Sequence, residues 1–306
     1  MASYAADKKH KRLSDNTKTS IFLSPAFVVL AIFFLVPMVL TIVFAFTNLA
    51  LTGFQAQQLQ FVGFDNFVRM FNDNQLYSSI ILTLIFVFFS AILGQCLMGF
   101  IIAFMMKGKN STFRRIIGIA VIAAWVTPEV VVGFAWTIFL GDSGTVNNVL
   151  TFLGQYLPFL PQEPVAWLFQ YPMVSVVVAN IWRGTAFSMM AFQTALDDIP
   201  TEVEEAAIMD GASRWKSVWN ITIPMVKGTI VTNLLLVTLQ TLGVFTLIYT
   251  MTGGGPSGST MTLPVYMYQQ AFVSFQLGYG TAISLVLLLI GAIFSLFYIK
   301  FLKVKI

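Results

Sequence analysis

The chain has 306 residues, of which 57% are hydrophobic and only 10% charged, with a mean hydropathy of +0.81. Soluble domains carry nearer a quarter charged residues, so a globular surface in water is excluded and lipid is the solvent for most of this chain. The excess of 17 Lys and Arg over 13 Asp and Glu then reads as membrane topology rather than as a nucleic-acid footprint. One cysteine, Cys96, and one histidine, His10, leave no internal disulfide and no Cys- or His-based metal site.

Six apolar stretches are long enough to cross a hydrocarbon core, which takes about 20 helical residues. They cover 21–47, 77–106, 116–140, 172–195, 225–251 and 279–301, and predict an all-α integral membrane protein. The first follows a basic tail (Lys8, Lys9, Lys11, Arg12, Lys18) but is too long for a signal-peptide core and lacks a small-residue cleavage site, so it reads as an uncleaved span. The organisation expected is a tail 1–20, a first helix with its outer loop 21–76, a five-helix core 77–301 containing a polar loop 196–224, and a short end 302–306. The tail, the links 107–115 and 196–224, and the end from Lys300 hold 14 of the 17 basic residues, and Lys227 lies at the foot of the fifth span. The other links hold only Arg69. Both termini are therefore expected on the cytoplasmic side.

In chain order, the second span carries Gly99 and Ala103 at i, i+4, small enough for close helix contact. The link after it contains "KGKNST", which fails as a phosphate loop. Ala103 stands where the first glycine is needed, and Asn110 follows the lysine instead of Ser or Thr. The third span holds Pro128, a candidate kink, beside Glu129, and the fourth holds Arg183. These two charges stand well inside lipid, where ionised groups are costly. Three readings stay open for them: an ion pair fixing helix packing, a contribution to a transport path, or snorkelling toward an interface. The outer links, including "LPFLPQEPVAW" and "TGGGPSGST", read as short structured caps with turn residues. No repeat of the length that marks solenoids is found.

The stretch "EEAAIMDGASRWKSVWNITIPMV" (Glu204 to Val226) interrupts this apolar chain. Pro200 presets a helical φ, Glu202, Glu204 and Glu205 suit the first turn of a helix, and Thr201 and Glu204 have capping-box spacing. Gly211 can close that helix, Ser213 can cap a second, and Trp215, Val218 and Trp219 share a face. The reading is a helix–turn–helix elbow. Its acidic start (Asp197, Asp198, Glu202, Glu204, Glu205) disfavours anionic lipid and favours a protein partner.

The spacing Glu205-Ala206-Ala207, Gly211, then Ile221-Thr222-Ile223-Pro224 resembles the EAA loop of binding-protein-dependent ABC importer permeases, with Ile223 where the family has Leu. "IWRGTAFSMM" (Ile181 to Met190) and "FTLIYTMTGGGPSGST" followed by "YMYQQAFVSFQLGYGTAIS" (Phe245 to Ser284) resemble the carbohydrate branch, in particular the maltose and glycerol-phosphate type of first permease subunit. Thr246 stands where that branch commonly has Asp.

The resemblance implies a type I importer permease fold and a heteromeric complex in a prokaryotic plasma membrane. The partners implied are a second permease, two cytoplasmic ATPase subunits and an extracellular or periplasmic sugar-binding protein. ATP and Mg would bind the ATPase chains, and this chain would have no catalytic residue. It also implies that Glu205, Ala206, Ala207, Asp210, Gly211, Ile221 and Pro224 form the ATPase-coupling element. Sugars are read by amides, hydroxyls and aromatic faces, so Asn233, Gln240, Phe245 and Tyr249, with Glu129 and Arg183, are candidates to line the path. Interhelical hydrogen bonding is the other reading of the amides. The competing functions are a stand-alone ion-coupled transporter, for which no inverted repeat is found, and an intramembrane enzyme, for which no nucleophile–base set exists.

Overall fold

The computed structural model describes residues 15–301. The basic residues up to Arg12, His10, and the end 302–306 with Lys303 and Lys305 lie outside the described residues. Within them the chain forms helices joined by turns and irregular links, with one isolated bridge between Thr47 and Phe61. Five helices are long and apolar enough to cross a membrane: Phe22–Ala45, Asn74–Met106, Pro172–Asp197, Arg214–Leu242 and Leu277–Lys300.

The first is α1 (Asp15–Leu30), a π-helical turn (Ala31–Leu35) and α2 (Val36–Ala45). Its side chains, such as Phe22, Phe33 and Phe34, are almost all exposed, as a lipid-facing helix requires. After it, α3 (Asp65–Met70) leads to the second span. That span is α4 (Asn74–Val87), an eight-residue π segment (Phe88–Gln95) and α5 (Cys96–Met106). Asp73 starts it, its carboxylate accepting from the Gln75 and Leu76 amides at 3.0 and 3.1 Å, two of the orphan donors of a helix N-terminus.

The third apolar stretch departs from expectation. It is two helices, α6 (Ser111–Val126) and α7 (Glu129–Phe139), bent by 103°. Pro128 has no N–H to continue the ladder and forces Thr127 into an extended conformation (φ −65°, ψ 130°). Glu129 then opens α7, where the helix dipole favours an acid. The Pro128 kink is a complete break. A short helix, α8 (Thr145–Gly154), follows in the next link. Buried Asn147 ties that link together, donating to the Gly141 and Val165 carbonyls and accepting from Val165 N and Trp167 Nε1.

The fourth span is α9 (Pro172–Asp197), the central helix, packed by α5, α6 and the π segment Phe88–Gln95. The polar loop then forms α10 (Thr201–Met209), α11 (Arg214–Ser217) and a π turn (Val218–Thr222). The expected Thr201–Glu204 capping box is not formed. Pro200 takes the N-cap position with ψ 137°, so Thr201 is already inside the helix, and no side-chain cap is made. The Glu204 side chain lies outside the described residues.

The fifth stretch is also divided. Helix α12 (Ile223–Leu242) ends at Gly243, and α13 (Thr246–Thr252) restarts after Phe245. Gly253 closes α13 in the left-handed conformation at φ +62°. The last elements are α14 (Leu263–Tyr268), a π turn (Gln269–Val273) and α15 (Leu277–Phe301). Helix α15 packs against α2, α12 and α14, and α7 packs against α13.

Close approach at the centre depends on small residues. A Cβ on Gly99 would lie 2.4 Å from Ser188 Cβ and 2.8 Å from Met189 N, so α5 touches the backbone of α9 as the Gly99/Ala103 spacing predicts. One core cluster gathers Met106, Met189, Phe192, Leu196, Ile199 and Val226 at the elbow end. A larger one at the far end includes Leu76, Phe86, Ile248, Leu263 and Tyr279.

Candidate functional site

The elbow is built from standard terminating devices. Gly211, at φ +71°, permits the left-handed residue that ends α10. Its amide donates to Ile208 O at 3.0 Å, and that of Ala212 to Ala207 O at 2.9 Å, the paired bonds of a Schellman motif. Ser213 Oγ accepts from Lys216 N and starts α11. Pro224 lies inside the continuous helix Arg214–Leu242, directly after the π turn Val218–Thr222, where the i→i−4 ladder is already interrupted.

What this geometry displays is unusual for a polar loop. Ile208, Met209, Trp215 and Trp219 are 71%, 86%, 74% and 62% exposed. Glu205, Ala206, Asp210, Gly211 and Pro224 are exposed as well, whereas Ala207 is buried and Ile221 half-buried. A Cβ at Gly211 would meet nothing within 4 Å. An apolar, small-residue surface with an acidic rim therefore stands open at one end of the bundle, as interaction sites do.

The intramembrane charges meet. Glu129 Oε1 lies 3.1 Å from Arg183 Nη1, both side chains about three-quarters buried, while buried Arg183 Nε finds no partner. Beside them Trp136 and Trp182 stand edge to face at 6.1 Å. Both belong to a cavity of about 210 Å³ that also touches Thr127, Val132, Ala135 and Phe139.

Phe245 and Tyr249 stack at 5.1 Å between ring centroids. Tyr268, which sequence reasoning did not single out, packs on both at 4.7 and 5.1 Å. It comes from α14, far along the chain, and nothing local signalled it.

The two amides of α12 separate, although seven residues apart on one helical face. Asn233 is buried and donates to Ser188 Oγ at 3.0 Å across to α9, whereas Gln240 is exposed. A polar hub unremarked in the sequence sits about two helical turns away. Gln95 reaches Ser90 Oγ, Asn180 O and Thr241 Oγ1 at 3.3 to 3.5 Å, and its amide fills the place of a side chain at Gly184. The signal that could have revealed it is an amide inside an otherwise apolar span. No cluster of His, Cys, Asp and Glu suited to a metal occurs among the described residues.

Comparisons with known proteins give the family and the fold. The chain is 29% identical over 302 residues to the sulfoquinovosyl glycerol transport system permease protein of Agrobacterium fabrum, covering 96% of this chain and 92% of that one. It is 31% identical over 287 residues to the multiple sugar-binding transport system permease protein of Streptococcus mutans, covering 92% and 94%. A solved bacterial ABC transporter that imports the acidic polysaccharide alginate contains a chain of the same fold, with a TM-score of 0.78 at 24% identity, covering 94% of this chain and 97% of that one. Residues 95–301 match the family described as the binding-protein-dependent transport system inner membrane component, and the chain belongs to that family.

Proposed function

We propose that this chain is one of two permease subunits of an ATP-driven sugar importer and that its elbow docks on a cytoplasmic ATPase. The observation that carries the reading is the elbow's open surface, where Ile208, Met209, Trp215 and Trp219 stand in solvent around a glycine-closed helix end. In the sequence the basic residues concentrate in the tail, the links 107–115 and 196–224 and the end, which favours the cytoplasmic side for the elbow and both termini. ATP and Mg belong to the ATPase partners.

The cargo enters from a sugar-binding protein on the other side. It passes between the two permeases by alternating access, as ATP draws the paired elbows together. The aromatic cluster Phe245, Tyr249 and Tyr268, with the cavity at Trp136 and Trp182, offers the flat faces on which sugar rings stack. Glu129, Arg183 and Gln240 offer hydrogen-bonding groups. Relatives named for sugar cargo support the substrate class. Arg183, the cation in the middle of a span, is already paired with Glu129, which favours neutral over phosphorylated sugars.

The test is purification of the tagged chain from native membranes in mild detergent. A co-purifying ATPase and second permease, with the ATPase lost in Glu205→Lys, are the expected result. A homo-oligomer that transports alone would overturn the reading and point instead to ion coupling through Glu129 and Arg183.

A further inference from the structure

Arg114 and Asp197 each sit at the wrong end of a helix. Arg114 is in the first turn of α6, and Asp197 is the last residue of α9. The helix dipole disfavours a cation at the first place and an anion at the second. The two side chains form an ion pair with each other, so each offsets the other's misplaced charge. Gln193, one turn earlier on α9, completes the grip. With its amide oxygen turned to Arg114 it accepts from Nη2 at 2.6 Å and from Nε at 3.2 Å. One guanidinium thus holds two successive turns of α9, the bidentate role for which Arg is suited.

The place of this grip matters. Only Asp198, Ile199 and Pro200 separate Asp197 from α10, and Ile199 is buried in the core cluster with Phe192 and Leu196. Ile117 and Val121 of α6 pack against the same cluster. At the other end of α6, past the bend, Glu129 holds Arg183 of α9. The bent α6–α7 pair is therefore pinned to α9 at the foot of α6 and at the start of α7, with apolar packing between. Helix α7 leaves the second pin at 103° and packs on α13, which carries Tyr249.

We infer that Arg114 is a positioning residue for coupling, a strut that makes α6 move with α9 and the elbow as one body, so that displacement of the elbow reaches the bent α6–α7 pair beside the proposed sugar path. This rests on the elbow being the ATPase-docking element. A chain of contacts becomes a coupling path only when its loss changes what the distant element does.

The experiment uses the complex purified from native membranes, in a Cys96→Ser background. Spin labels are placed at Glu202→Cys, in the first turn of α10 and outside the Glu205 to Gly211 segment, and at Ile119→Cys, exposed on α6. Pulsed electron resonance reads their separation with and without ATP and vanadate. The strut predicts one narrow distance, the same in both states. In Arg114→Ala the ATPase still co-purifies, but the distribution broadens and shifts when ATP and vanadate are added. Exchanging the charges, Arg114→Glu with Asp197→Arg, restores the single distance.

A pair that merely stabilised the fold would lower thermal stability without any nucleotide-dependent shift. An Arg114→Ala distribution unchanged in both states overturns the inference, as does a charge exchange that fails to restore it. Absence of an ATPase from the unaltered complex would instead overturn the docking reading, and the strut with it.

Discussion

Glu129 Oε1 and Arg183 Nη1 stand 3.1 Å apart where the third apolar stretch breaks, joining the first residue of α7 to the middle of α9. Each charge makes the other tolerable in a membrane interior. Removing one leaves the other without a counter-charge, and Arg183 already has an unpartnered Nε. Because the side chains remain about one quarter exposed, the expected loss lies at or below the roughly 3–5 kcal/mol seen on breaking fully buried pairs. Glu129→Ala and Arg183→Ala should each lower thermal stability in detergent, and the double variant should lose less than the two singles together. Strict additivity would show that the two groups do not act as a pair.

Gly99 and Gly118 offer a matched comparison in helix interiors. A methyl group on Gly99 would press on Ser188 and the backbone of Met189, whereas at Gly118 it would meet nothing within 4 Å. Gly99→Ala should therefore cost on the order of 1–3 kcal/mol by overpacking. Gly118→Ala should be neutral or stabilising by up to about 1 kcal/mol through helix propensity. Thermal unfolding of both variants in the same detergent checks the contrast, and equal effects would mean that α5 does not lie on α9 as described.

The spans and the elbow were legible because their signals are local. Apolar length marks a span, and Gly211 and Ser213 mark helix ends wherever they fall. The two breaks were less so. Pro128 announced a kink, yet the 103° angle depends on where α7 finds its partner in α13. The division at Gly243 depends likewise on what α13 packs against. The capping box failed because Thr201 and Pro200 compete for one position, and proline took it.

Contacts between distant segments left little or no local trace of their partners. Tyr268 on Phe245, Gln95 on Asn180, and Arg114 on Asp197 join residues far apart in sequence. Two of them carried a readable cue: Arg114 and Asp197 as a charge at the unfavourable end of each helix, and Gln95 as an amide inside an apolar span.

At the end of the bundle away from the elbow, Asp73 caps α4 and also accepts from the hydroxyls of Tyr266 and Tyr279. Burial pushes its carboxyl up, but those two hydroxyls and the Leu76 and Gln75 amides outweigh that and hold it below the ordinary carboxylate range. A carboxyl lowered on folding adds stability above its unfolded value and loses it as pH falls through its folded value. Asp73→Asn keeps a competent cap but weakens the bonds to the tyrosines, with an expected cost of about 1–3 kcal/mol at pH 7. The gap to the unaltered protein should hold above a pH of about 4, the unfolded carboxylate value, and narrow progressively below it. Melting curves taken on both sides of that value check the sign, and a gap that widens in acid would contradict it.

Gly211 separates conformation from volume. Its φ of +71° is the reason for glycine, since a side chain there would meet nothing. An L-residue in that conformation costs roughly 1–2 kcal/mol, and Asn, which tolerates it best, costs least. The fold should survive any of these changes, because the strain is confined to an exposed turn. The elbow surface should not, because relieving the strain unwinds the last turn of α10 and moves Ile208 and Met209. The series Gly211→Asn, Gly211→Ala, Gly211→Val should therefore retain progressively less ATPase on purification from native membranes, while the yield of inserted chain stays constant. A Val variant that holds its ATPase as well as the unaltered protein would mean that the docking surface does not depend on this turn, and would remove the elbow from the coupling mechanism.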